Sequence, residues 1–172
     1  MKYTYKITKL NELKNCYSIF IILIIFITVG PILFYYRTPD GNFWDYFPFL
    51  GIGFLLLFVP VSIIHLKYDA INEGMEMIYD EEEKRIVIKN TKKNTLSEFS
   101  LDDIHCIYHT MSLPMLEKRM HWFPWDGYNY SDIYLKNGEK HRITSLMVYR
   151  LELPVGDRYE VITRFYPYPG KL

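Results

Sequence analysis

Histidine and cysteine are the side chains here that could bind a metal or act as nucleophile and base, so their spacing comes first. His105 and His109 are four apart, which on a helix would put two imidazoles on one face. Ile104, Cys106 and Tyr108 alternate between them as in a strand. On a strand, positions i and i+4 lie about 13 Å apart, too far for one ion. His121 and His141 add no ligand pair with zinc-finger spacing. There is no Gly-x-Ser-x-Gly, no P-loop and no Gly-x-Gly-x-x-Gly after a strand. Glu81, Glu82 and Glu83 are adjacent turn carboxylates without the oxygen spacing of a calcium loop. The expectation is a non-catalytic chain with no metal site and no cofactor.

Two stretches carry binding chemistry instead. Met111–Tyr128 gathers Met120, Trp122, Phe123 and Trp125 amid Lys118, Arg119 and His121. Large rings either plug a sheet interior or form an exposed apolar loop for a partner or a membrane surface. Both readings stay open from residue types alone. The second stretch is Tyr35, Tyr36, Trp44 and Tyr46, amphipathic rings suited to the headgroup level of a bilayer.

Those rings flank a short connector between two uncharged runs, Asn15–Tyr36 and Tyr46–Leu66. At ~1.5 Å per residue, about 20 helical residues cross a ~30 Å hydrocarbon core. Residues 15–66 therefore read as a two-helix transmembrane hairpin, with a turn at Pro39-Asp40-Gly41-Asn42. A cleaved signal has a shorter apolar core and a small-residue cleavage site, whereas the first run ends in Phe34-Tyr35-Tyr36. Pro48 falls in the first turn of the second run and Pro60 inside it; Gly51-Ile-Gly53 reads as a packing notch. Lys2, Lys6, Lys9 and Lys14 precede the hairpin and Lys67 follows it, against Arg37 in the connector. The positive-inside rule then makes both termini cytoplasmic. That placement removes meaning from the glycosylation sequon Asn129-Tyr-Ser131.

Overall charge balances at 20 basic and 20 acidic residues. From Lys67 onward the acidic residues are slightly in excess, a poor match for nucleic acid. Two cysteines, Cys16 and Cys106, give no disulfide framework. The organisation expected is an N-terminal cytoplasmic segment over 1–14, the hairpin over 15–66, a linker over 67–74 and a β domain over 75–172.

The β domain reads as short strands. Ile86 and Ile88 share a face, Ser100-Leu-Asp-Asp103 has the form of a capping box, and Asn137-Gly138 marks a hairpin. Val155–Phe165 is expected to be helical. A meander of strands, Leu101-Asp-Asp-Ile104, the Asn137-Gly138 hairpin and Ile143-Thr-Ser-Leu146 leading to a final helix together resemble the bacterial pleckstrin-homology-like domains, including the YcxB-like membrane proteins. The resemblance implies two bent antiparallel sheets closed by a helix, and no enzyme activity. In phosphoinositide-binding members the first β-turn supplies basic residues. Taken as that turn, Asp80–Glu83 has the wrong sign for a phosphate.

The expected fold class is thus a membrane α-helical hairpin followed by a mainly-β PH-like domain with a C-terminal helix. The expected function is binding or scaffolding at the bilayer, with a homo-oligomer or another membrane or cytoplasmic protein as partner. The alternative is a membrane-bound immunity-type factor or a membrane enzyme.

Overall fold

Tyr3 and Tyr5 alternate with Lys2, Thr4 and Lys6, and that period of two forms a strand, β1 (Lys2–Lys6). The structure, a computed structural model, describes residues 1–38 and 42–170. The expected turn at Pro39-Asp40-Gly41 lies outside them.

After β1 the chain leaves the sheet. Thr8 accepts a hydrogen bond from the Asn11 amide and caps α1 (Lys9–Arg37). A 3-10 turn over Phe43–Asp45 leads into α2 (Phe47–Asn72), which has Pro48 in its first turn and Pro60 inside. Both helices are long and apolar enough to cross a membrane by length and composition. They return the chain to β2 (Met75–Asp80), which pairs antiparallel with β1 from Lys2↔Asp80 to Lys6↔Glu76.

From β2 a tight meander gives β3 (Arg85–Asn90) and β4 (Thr95–Ser100). The two turns share one design. The Asp80 carboxylate accepts the Glu82 amide, the Asn90 side chain accepts the Lys93 amide, and Lys84 and Asn94 close the turns at positive φ. The sheet order is β1-β2-β3-β4.

The second sheet begins after a 3-10 turn over Leu101–Asp103. The capping box at Ser100 is present as expected: the Ser100 amide donates to Asp103 and the Asp102 amide donates to Ser100 Oγ. β5 (Ile104–Met111) leads to the short helix α3 (Leu113–Leu116) and then to β6 (Tyr130–Leu135). Gly138, at φ +90°, turns β6 into β7 (Lys140–Thr144). β8 (Tyr159–Thr163) runs parallel to β5, so the order is β7-β6-β5-β8. The inner faces of both sheets meet over Met77, Ile86, Ile88, Phe99, Ile107, Ile133 and Ile143. Burial of these apolar side chains is the main stabilising contribution, at ~1.5–3 kcal/mol for each large one.

This architecture corrects the expected fold class in two ways. The hairpin does not precede the β domain: it is inserted between the domain's first two strands, because Lys2–Lys6 is strand β1 and α2 runs unbroken to Asn72. Nor, among the described residues, does a C-terminal helix close the sheets. Met147, Leu151, Leu153 and Val155 plug the interior from an irregular segment. Tyr159–Thr163, expected to be helical, then adds an edge strand. Its β-branched Val161, Ile162 and Thr163 favour that conformation.

Candidate functional site

The chemistry-bearing side chains gather where the two helices emerge from the domain. Packing along each helix defines that junction. On α2, Val61, Ile64, Tyr68 and Asn72 are buried at helical spacing, so the C-terminal half lies on the domain. The first turns of α1 dock through Asn11, whose side chain donates to Met147 O, and through buried Asn15. Beyond Ser18 on α1 and Pro60 on α2 the helices leave the domain together as a stem. Phe26 packs on Gly53 along the stem, and the Phe34 and Tyr46 rings meet at 5.3 Å near its tip.

A collar of aromatic residues surrounds the base of the stem. Ser18 donates to Pro124 O at 3.0 Å, and Tyr166 donates to Pro60 O at 2.6 Å. Trp125 fills the angle between them, edge-on to Tyr166 and stacked on Phe123. Tyr128 is fully buried, edge-on to both Tyr68 and His65. Burial pushes the Tyr128 phenol well above its ordinary pKa. Asp126 shapes the loop from within, because its carboxylate accepts the Trp122 and Phe123 amides at 2.9 Å each.

The collar divides the candidate residues of the loop. Trp125 is 6% exposed and belongs to the junction core, and Phe123 is half-buried against it. Trp122 is 73% exposed and Met120 80% exposed, beside exposed Phe165 and Leu113. A cleft of about 390 Å³ opens between Leu113, Trp122, Phe123 and Phe165. At the tip of the stem Tyr35, Tyr36 and Trp44 are exposed, while Tyr46 covers Gly30.

Charge is arranged along the same axis. The β3–β4 turn carries Lys92 and Lys93 and abuts the end of α2, where the Thr91 amide donates to Gly74 O. Lys92 pairs there with Glu73, and on the aromatic loop Arg119 pairs with Glu117. The acidic turn Asp80–Glu83 is at the opposite end of the sheet, beside the N-terminus, whose ammonium pairs with Glu82. It joins β2 to β3, so it is not the first turn of the fold; the helical hairpin occupies that place.

His109 and His141 serve packing. His109 is fully buried, 2.6 Å from Ser131 Oγ and stacked on Tyr159. Burial, reinforced by the Arg150 charge, lowers its pKa to about 4. His141 stacks on Phe99 in the other sheet.

Both sheets are antiparallel meanders apart from the parallel β5–β8 pair, and they pack face to face. A family model described as a PH domain matches residues 4–153. The chain belongs to the PH domain family. The match begins inside β1 and runs through both long helices to the plug segment, so the PH domain of this chain contains the hairpin. No curated protein and no solved structure matches the chain.

Sequence reasoning placed the loop but missed several residues that build the junction: Asn15, Asn72, His65 and Tyr128. For Asn15, Asn72 and His65 the signal was polarity in or beside an otherwise apolar run; Tyr128 offered only its place at the end of the aromatic loop.

Proposed function

We propose that this PH domain protein is integral to a bacterial inner membrane, in the manner of the YcxB-like proteins, and acts as a non-catalytic binding or scaffolding module held against the bilayer. The pairing of β1 with β2 supports the topology. One strand precedes the hairpin and the other follows it, so the chain must enter and leave the bilayer on the same face. The lysine bias makes that face cytoplasmic.

The observation that carries the proposal is the aromatic collar. From the Cys16–His65 level to the Phe34–Tyr46 pair each helix has about 18 residues, roughly 27 Å of rise, close to a ~30 Å hydrocarbon core. The Ser18–Pro124 and Tyr166–Pro60 bonds lie roughly 3 and 7.5 Å of helix rise inside one end of that span. Exposed Trp122, Met120 and Phe165 then sit in the headgroup region, and Lys14 and Lys67, which flank the Cys16–His65 level in sequence, meet anionic lipid. The domain is thereby seated on the membrane rather than tethered near it, and its outer strands remain free for a protein partner or a second copy.

Reporter fusions at Asn42 and after the C-terminus test the topology. The expected result is a periplasmic signal at Asn42 and a cytoplasmic one at the C-terminus. A cytoplasmic signal at both, with release of the protein by alkaline carbonate, would overturn it.

A further inference from the structure

At the base of the stem a nucleophile stands beside a base. Cys16 on α1 and His65 on α2 face each other, with Sγ 3.6 Å from Nδ1. Tyr128 enters from the domain, its hydroxyl 3.0 Å from the same Nδ1 and 3.7 Å from Sγ. Three elements distant in sequence thus bring together a thiol, an imidazole and a phenol. A nucleophile within reach of a base that a third group orients is the general form of an activated nucleophile.

A cleft of about 450 Å³ opens on this trio. Cys16, Ser62 and His65 are its polar lining residues; Ile19, Leu23 and Phe54 are among the apolar ones. Phe54 is 11 residues before His65, roughly 17 Å along α2. The cleft is therefore directional, with a nucleophilic mouth at the domain and an apolar trough running down the stem. Its complement is a molecule with an electrophilic carbonyl at one end and a long unbranched alkyl chain behind it.

We propose that Cys16 is an S-acylation site, which takes its acyl group from a long-chain acyl thioester and lays the chain between α1 and α2. The proposal rests on the membrane reading above, which puts Cys16 at the hydrocarbon boundary. In the step, His65 Nδ1 accepts the Sγ proton and the thiolate attacks the thioester carbonyl. A carbon–sulfur bond forms at Cys16 as the donor's carbon–sulfur bond breaks. The proton passes from His65 to the departing thiolate, which leaves as the donor's thiol. One thioester replaces another, so no oxidant or reductant is needed. The Tyr128 hydroxyl donates toward Sγ and steadies the thiolate. The apolar lining keeps water from the new thioester, so the acyl group is retained.

The test uses the full chain in proteoliposomes with alkyne-tagged hexadecanoyl-coenzyme A. The expected result is a hydroxylamine-labile label that is lost in Cys16→Ser and retained in Cys106→Ser. His65→Gln should slow labelling by at least about tenfold while melting like the parent. Leu23→Trp, which fills the trough and leaves the trio intact, should also reduce labelling. No label on the parent, a label that persists in Cys16→Ser, or a lipid that co-purifies only non-covalently would overturn the proposal. Carbonate extraction of the same samples reports separately on membrane integration: a protein that resists extraction but takes no label sinks the acylation alone.

Discussion

Asn15 on α1 and Asn72 on α2 grip one short stretch, Arg142 to Ser145, at the end of β7. Asn15 accepts from Ser145 Oγ at 2.8 Å and donates to Ser145 O at 3.3 Å. Asn72 donates to Arg142 O at 2.8 Å and accepts from the Thr144 amide at 2.7 Å. β7 is an edge strand, so Asn72 supplies to its outer edge the donor and acceptor that a neighbouring strand would have provided. Each helix is thereby registered to the sheet by one buried amide. Asn72→Ala should cost about 3 kcal/mol, because two buried backbone groups lose their partners. Asn72→Leu retains bulk without the bonds and should lose a similar amount. Thermal unfolding in detergent measures both; a change within about 0.5 kcal/mol in each would show that the clasp contributes little.

The pair Asp132 and Arg142 makes a second, ionic prediction. Arg142 Nη2 donates to Asp132 Oδ2 at 2.7 Å, Nε donates to Oδ1, and Nη1 donates to Gly170 O. The guanidinium also lies over the Tyr130 ring at 4.8 Å. Arg142→Met leaves the Asp132 carboxylate buried without its counter-ion and should destabilise by about 3–5 kcal/mol. The double change Arg142→Met with Asp132→Leu should recover much of that loss, since paired charges replaced by apolar groups are often neutral. Denaturant midpoints of the single and double variants give the coupling; simple additivity would refute it.

The strand patterns that close locally could be read from sequence. The Asn137-Gly138 hairpin, the Ser100 capping box and the Ile86/Ile88 face all involve residues a few positions apart. β1 could not be recognised in the same way. Tyr3 and Tyr5 alternate, but the partner strand lies beyond the hairpin at Tyr79 and Met77, and no short-range signal spans that separation. The closing element was misread for a related reason. Pro154 and Gly156 keep the plug segment irregular, and the identity of β8 depends on an edge of β5 that is formed far upstream. At the site, the aromatic loop was visible from composition. Its division into buried Trp125 and exposed Trp122 was not, because Tyr166 and Ser18, which decide it, arrive from opposite ends of the chain.

His109 makes stability depend on pH. Its folded pKa is about 4, against 6.5 ordinarily, so between those values the unfolded chain binds the proton and the folded chain does not. Stability therefore falls as pH drops from about 6.5 to about 4, by at most about 3 kcal/mol from this group. The charges facing it belong to Arg150, and its ring contacts are Ser131 and Tyr159. His109→Phe should flatten the melting temperature across that window. An unchanged slope would assign the acid sensitivity to other groups.

Trp122 and Trp125 stand three residues apart and should respond in opposite ways. Trp125 packs against Phe123, Phe165 and Tyr166, so Trp125→Ser removes a buried indole and should cost about 3–5 kcal/mol. Only the Trp122 backbone is held, by Asp126, while its ring is open to solvent or lipid. Trp122→Ser should leave the melting temperature nearly unchanged. If the ring lies among headgroups, as the seated-domain reading requires, lipids brominated near the glycerol level should quench Trp122 strongly in a protein whose other indoles are Phe. Mid-chain bromines should quench it weakly. Quenching equal to that of free tryptophan in buffer would mean that the loop faces water, and the collar would then be a structural joint without a membrane-facing rim.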